Sequence, residues 1–181
     1  MFYEPVAEHT LNHQFTVAHQ TRVWAGDCTD VWITAGWLSL AVILDLYSRR
    51  VIGWVMGYRL TVDLTERALT MALAKRNPLA GLLHHSNRGS HYAVRSYQRL
   101  LGEHGITTRM SRKGNCWDNA CFERFFGTLK RELVSHRHYA TRDDAIREIV
   151  EYREVVSNRT RRHSTLGDHS PAEYEARTVV A

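Results

Sequence analysis

The alternation of apolar and polar positions divides the chain into two regimes. Residues 23–34 are rich in Trp, Val, Ile and Thr, Gly36 interrupts them, residues 37–46 are strongly apolar, and residues 51–60 are again β-branched and aromatic. This predicts three strands, and links so short make them antiparallel neighbours. From residue 61 the period becomes helical. Leu64, Ala68, Met71, Ala72 and Lys75 share a face, Asp63 and Glu66 suggest a capping box, and Pro78 closes the segment. A strand over 82–85, a helix over 94–104, a strand over 106–110 and a helix over 119–134 complete the order β-β-β-α-β-α-β-α. Such an order predicts an α/β fold, a mixed five-stranded sheet with helices on both faces. In the helix over 119–134, Phe122, Phe126, Leu129 and Leu133 make the apolar stripe. At about 100° per residue, Glu123, Gly127 and Lys130 share an adjacent polar face. Thr141 caps a further helix with Ala145, Ile149, Tyr152 and Val156 inward, and Ser170-Pro171-Ala172-Glu173 is a compact helix start.

Composition narrows the class. With 181 residues, 44% hydrophobic and 24% charged, the chain is one globular domain rather than a disordered segment. Residues 1–21 show no periodicity and read as a loosely ordered lead-in, 22–158 as the core, and 159–181 as a basic C-terminal tail carrying a short helix. A formal charge of +5 favours polyanionic partners. Three cysteines without a CxxC pair suggest neither a disulfide framework nor a zinc ribbon, and the eleven histidines show no zinc-ligand spacing. The N-terminus lacks the layout of a signal peptide, and the longest apolar run is too short to span a bilayer, so a soluble cytoplasmic protein without a membrane partner is expected.

Candidate chemistry lies in residues far apart in the chain. Asp27 falls in the middle of the first strand, where an isolated carboxylate needs solvent, a partner or a metal. Asn87 ends the fourth strand at a cluster of loop formers, and Glu123 begins the helix after the fifth. If the fourth strand lies beside the first, three oxygen-bearing side chains converge at one edge. Asp118 reads instead as a helix cap and Asp45 as a strand-end turn residue; Asp30 is a further carboxylate near a strand end. Arg109, Arg112, Lys113, Arg124, Lys130 and Arg131 bracket the site, and Arg159, Arg161, Arg162 and His163 form a dense patch suited to phosphate. His85 could position a phosphate. Trp117 and the Phe125-Phe126 pair could stack on bases, although Phe126, on the apolar stripe, reads first as core.

Four stretches, HHSNRGSHY, MSRKGNCWDNACFERFFGTLKREL, WLSLAVILDLYSRRVIGW and RRHSTLGDHSPAEYE, look like the corresponding parts of one family in order and spacing. Over roughly residues 11–175 the chain resembles the catalytic core of bacterial insertion-sequence transposases of the family numbered three, the second reading frame's product, and more distantly retroviral integrases. The resemblance implies a ribonuclease H-like fold and an Asp-Asp-Glu triad holding two Mg²⁺ or Mn²⁺ ions. It also implies cleavage at element ends and strand transfer in DNA transposition, and oligomers of the chain on element-end and target DNA. Carried over by position, the catalytic and metal-holding residues are Asp27, Asn87 and Glu123, with thirty-five residues between the last two. The family's motif is His-Ser-Asp-Arg-Gly; here Asn stands for Asp, which implies weak metal binding and impaired strand transfer. The DNA-binding set is Arg112, Lys113, Lys130, Arg131, Arg159, Arg161 and Arg162. No helix-turn-helix of the kind relatives use to recognise element ends is legible before Trp24, so DNA binding with little sequence preference is expected. The rival readings are a non-catalytic DNA-binding remnant and a nuclease that cuts without joining.

Overall fold

In a strand, residues two apart share a face, and this parity decides what each helix of the protein covers. The computed structural model describes residues 17–86, 89–110 and 120–178. Its strands are β1 (Val23–Ile33), β2 (Gly36–Asp45), β3 (Arg50–Gly57), β4 (Leu83–Ser86) and β5 (Thr107–Met110). Among the described residues they form one five-stranded sheet in the order β3-β2-β1-β4-β5. β1, β2 and β3 pair antiparallel as expected, whereas β4 joins β1 and β5 joins β4 in parallel. Parallel neighbours need a crossover, which α1 (Val62–Arg76) supplies before β4 and which α2 (Ser90–Ala93) and α3 (Arg95–Glu103) supply before β5.

One face of the sheet carries Ala25, Val31, Leu38, Leu40, Val42 and Leu44, packed with Phe122, Phe126 and Leu129 of α4 (Ala120–Glu132) and with Ala145 and Ile149 of α5 (Arg142–Glu151). The other face carries Trp24, Ala41, Ile43 and Ile52 under Leu64, Ala68, Leu69 and Ala72 of α1 and Tyr97 and Leu101 of α3. The expected stripe of α4 is therefore a core stripe. Phe126 is buried and stacks on Phe122 with ring centroids 5.6 Å apart.

Two local readings change and a third is kept. The cap of α1 is Thr61, whose hydroxyl accepts from Leu64 N at 3.3 Å, rather than Asp63 with Glu66; a short β-hydroxyl next to the first turn reaches the free amide directly. The helix after Thr141 does not continue as α-helix: from Tyr152 to Thr160 it widens into π-type turns. That widening turns Arg153 under the Trp54 ring, 4.4 Å from its centroid, and lets the buried Asn158 amide accept from Val51 N and donate to Val51 O. Backbone groups of the edge strand β3 are thereby satisfied by a side chain. Finally, helix α6 (Pro171–Thr178) has the expected Ser170 and Glu173 capping box, and it is anchored in the core. Glu175 is only 5% exposed, accepts from Ser48 Oγ at 2.7 Å, and pairs with Arg50 and Arg76; against the burial that would raise it, these three partners hold its carboxyl below the usual range.

Gly53 shows how closely α1 approaches β3. A Cβ there would overlap the Ala68 carbonyl oxygen and stand 2.9 Å from Ala72 Cβ. Gly53→Ala is expected to destabilise the fold by about 3 kcal/mol, lowering Tm by roughly 10 °C in a thermal melt. An unchanged Tm would mean that α1 rides higher on the sheet.

Candidate functional site

Asp27 lies on β1 opposite Val42 of β2, and by parity it shares the face of Ala25 and Val31 that α4 covers. It is 8% exposed, and Cys28 N donates to its Oδ1 at 2.8 Å. Glu123 sits in the first turn of α4 with its side chain exposed. The two carboxylates are near enough to feel each other. Burial pushes the Asp27 carboxyl up to about 6, the Cys28 amide opposes that rise, and the Glu123 charge adds to it. A desolvated carboxylate within electrostatic reach of an exposed one from another element could share a hard divalent cation with it. Among the described residues, no group of three or more His, Cys, Asp and Glu side chains gathers around such a centre.

Asn87 lies outside the described residues, as do Arg112, Lys113, Trp117 and Asp118. The strand that leads to Asn87 is described: β4 runs beside β1 in register, Val23 with Leu83 through Gly26 with Ser86. That register is locked from the opposite face. The buried His84 Nε2 lies 3.1 Å from Tyr97 Oη, and Cys28 Sγ lies 3.2 Å from Tyr92 Oη. Gly26 is the position that admits the His84 ring, since a Cβ there would stand 3.1 Å from Nε2. His84 is held neutral: burial pushes its ring down to about 3, with the neighbouring His85 adding to the effect.

The competing carboxylates have other partners. Asp45 accepts from Thr21 N at 2.8 Å and Tyr47 N at 3.0 Å, the role of a turn residue, and Asp30 accepts from Ser39 Oγ at 2.5 Å. Of the basic candidates, Lys130 is half-buried and Arg131 exposed on α4, and Arg159 is exposed at the end of the π-type turns. Arg161 pairs with Glu132, while Arg131, Arg161 and Arg162 line one cavity together with His163. Arg49 and Arg124 line that cavity as well. Arg49 stands in the β2–β3 turn with a positive φ of 61° and donates to Cys121 Sγ; nothing in the local pattern of Tyr47-Ser48-Arg49-Arg50 marks which arginine turns inward. No helix among the described residues is long and apolar enough to cross a membrane.

Residues 18–116 match the family described as Integrase core domain, and residues 104–171 match a second family of the same description. A 31 kDa protein of insertion element IS600 from Shigella sonnei is 48% identical over 170 residues, covering 94% of this chain and 62% of that protein. The transposase InsF of insertion sequence IS3A from Escherichia coli K12 is 41% identical over 176 residues, covering 97% of this chain and 61% of that one. The chain thus spans about three fifths of these curated relatives. Among solved structures, the simian T-cell lymphotropic virus intasome in complex with PP2A regulatory subunit B56 gamma matches at a TM-score of 0.69 and 18% identity, over 92% of this chain and 60% of that one. The HTLV-2 integrase catalytic core domain in complex with magnesium, dimeric form, matches at a TM-score of 0.64 and 17% identity, over 87% of this chain and 98% of that one. At such identities the likeness is one of fold, that of the ribonuclease H-like integrase core.

Proposed function

Because the chain belongs to the Integrase core domain family, shared with insertion-sequence transposases, we propose that it carries out metal-dependent phosphoryl transfer on DNA, the cleavage and strand transfer of transposition. The observation that carries this reading is that Asp27, buried on the face of β1 that α4 covers, lies within electrostatic reach of Glu123 in the first turn of α4. Asp27 and Glu123 would hold the ions, Mg²⁺ or Mn²⁺, with Asn87 in the third place. The place of Asn87 is supported by the family's His-Ser-Asp-Arg-Gly motif and by the thirty-five residues between it and Glu123. When bound, the ions supply Lewis-acid activation of the attacking hydroxyl and neutralise phosphate charge. The protein's own residues orient and desolvate. The Cys28 amide fixes one Asp27 oxygen, the neutral His84–Tyr97 pair holds β4 in register, and Lys130, on the same side of α4 as Glu123, is placed to receive a backbone phosphate.

An amide at position 87 supplies one neutral oxygen where the resemblance calls for a carboxylate, so this copy binds ions weakly and joins strands slowly. The same residue favours the second reading, a DNA-binding remnant without catalysis. DNA, in the form of element ends and target, is the proposed substrate, and oligomers form on it. The domain limits proposed are a core over 22–158 and a basic segment over 159–181.

A joining assay with Mn²⁺ and a short duplex bearing a free 3′-hydroxyl tests the proposal. Slow joining by the natural chain, abolished by Asp27→Asn and by Glu123→Gln, is the expected result. Joining that survives either change removes that residue from the site, and no joining even after Asn87→Asp favours the remnant.

A further inference from the structure

Beside the Asp27–Glu123 site, on another side of α4, lies a cavity of about 1210 Å³. Five arginines line it: Arg49 from the β2–β3 turn, Arg124 and Arg131 from α4, and Arg161 and Arg162 from the segment before α6. Among the described residues no carboxylate does. Arg161 is paired with Glu132 and Arg49 donates to Cys121 Sγ, but Arg124, Arg131 and Arg162 make no ion pair or hydrogen bond among the described residues. Five guanidinium groups on one wall outnumber the carboxylates that reach them, Glu132 and Glu173, and a bound anion relieves the repulsion that remains.

A second observation points the same way. His163 also lines the cavity, and its buried Nε2 has no hydrogen-bond partner among the described residues. Burial, and then the charges of Arg161, Arg49 and Arg124, hold that imidazole below its usual range, as expected where guanidinium groups converge. The rest of the wall mixes aromatic and apolar side chains, Tyr47, Phe125 and Leu166, with hydroxyls such as Thr128 and Ser157. Arginine beside an aromatic surface is the combination that grips a nucleic-acid strand, phosphate by charge and base by stacking. Small-ligand pockets hold about 300–1,000 Å³; this one has room for a nucleotide or two and too little for a duplex.

We propose that this cavity receives a single strand of nucleic acid, its backbone phosphates held by Arg124, Arg131 and Arg162 and a base laid against Phe125. The inference rests on the reading of the chain as one that acts on DNA, and it adds the form in which the strand beside the site is held.

Fluorescence anisotropy with a labelled pentathymidylate, on the whole chain and without divalent ions, tests it apart from catalysis. Arg124→Gln combined with Arg162→Gln is expected to weaken binding about tenfold or more and to reduce the salt slope by about 1.4, at roughly 0.7 per phosphate contact on a single strand. Both side chains are exposed, so the variant should melt with the natural chain. Phe125→Ala is expected to weaken binding about tenfold with the slope unchanged. An unchanged affinity in the arginine variant overturns the proposal. So does equal affinity for thymidine monophosphate and the pentamer, which would make the cavity a small-anion site, or equal arginine dependence for a five-pair duplex. Because no metal is present, failure of Asp27–Glu123 catalysis would leave this result standing, and the reverse holds as well.

Discussion

Asn87→Asp is expected to raise the affinity for Mg²⁺ or Mn²⁺ on the order of a hundredfold and to speed strand joining in proportion. The change adds one negative charge where the neutral amide stands. A unit charge about 4 Å from another is worth about 4 kcal/mol at an effective dielectric of 20, roughly a thousandfold, and desolvation of the new carboxylate takes back part of that gain. In the proposed site the added charge shares its ions with the Asp27 carboxyl, which burial has already pushed up to about 6. The ion would relieve a crowding of carboxylates that the protein by itself resists. Calorimetric titration with Mg²⁺ measures the effect. Equal affinities for the natural chain and the variant would remove position 87 from the site.

Asp27→Asn should do the opposite to function and should stabilise the fold without metal. The folded protein holds the Asp27 proton more tightly than the unfolded chain does, with a pKa raised from 3.8 to about 6. Stability contributed at this position is therefore highest below pH 4, falls as pH rises through 4 to 6, and reaches its full deficit above 6. A rise of that size corresponds to about 3 kcal/mol. Asn avoids the deficit, so the variant is expected to exceed the natural chain by about 3 kcal/mol at pH 8, or roughly 6–12 °C in Tm, and to match it near pH 4. The comparison must be between the two proteins at each pH, because His84 works in the other direction. Its folded-state pKa, near 3, makes the whole molecule lose stability as pH falls below about 6.5. Denaturant melts at pH 4 and pH 8 give the result; a variant less stable at pH 8 would mean that Asp27 serves packing rather than function.

Much of the architecture could be read in the chain because the relevant signals are local. The two-residue alternation of β2, with Leu38, Leu40, Val42 and Leu44 on one side and Ala41 and Ile43 on the other, fixes two packed faces before any coordinate is known. The stripe of Phe122, Phe126 and Leu129 turns Glu123 to the edge of the core, and short links force the antiparallel meander. The reading that the fourth strand can lie beside the first agrees with the parallel pairing of β4 and β1, Val23 with Leu83 through Gly26 with Ser86. What the sequence concealed depends on tertiary partners. Whether Tyr152 continues an α-helix or opens a wider turn is decided by Asn158 meeting the Val51 backbone, about a hundred residues away in sequence. Glu175 looks like one more charge on a short terminal helix until Ser48, Arg50 and Arg76 are seen around it. Arg49 and Arg124 join Arg161 and Arg162 in one cavity only once β2, α4 and the C-terminal segment have packed together.

The central claim is that one cation site is shared between β1 and the first turn of α4. Paramagnetic relaxation by Mn²⁺, mapped over the backbone amides of the Asn87→Asp protein, tests it most directly. Two maxima are expected, one around Asp27 and Cys28 and one over the first turn of α4 at Glu123, both lost together on Glu123→Gln. Relaxation centred on one of these segments alone, or away from both, would contradict it.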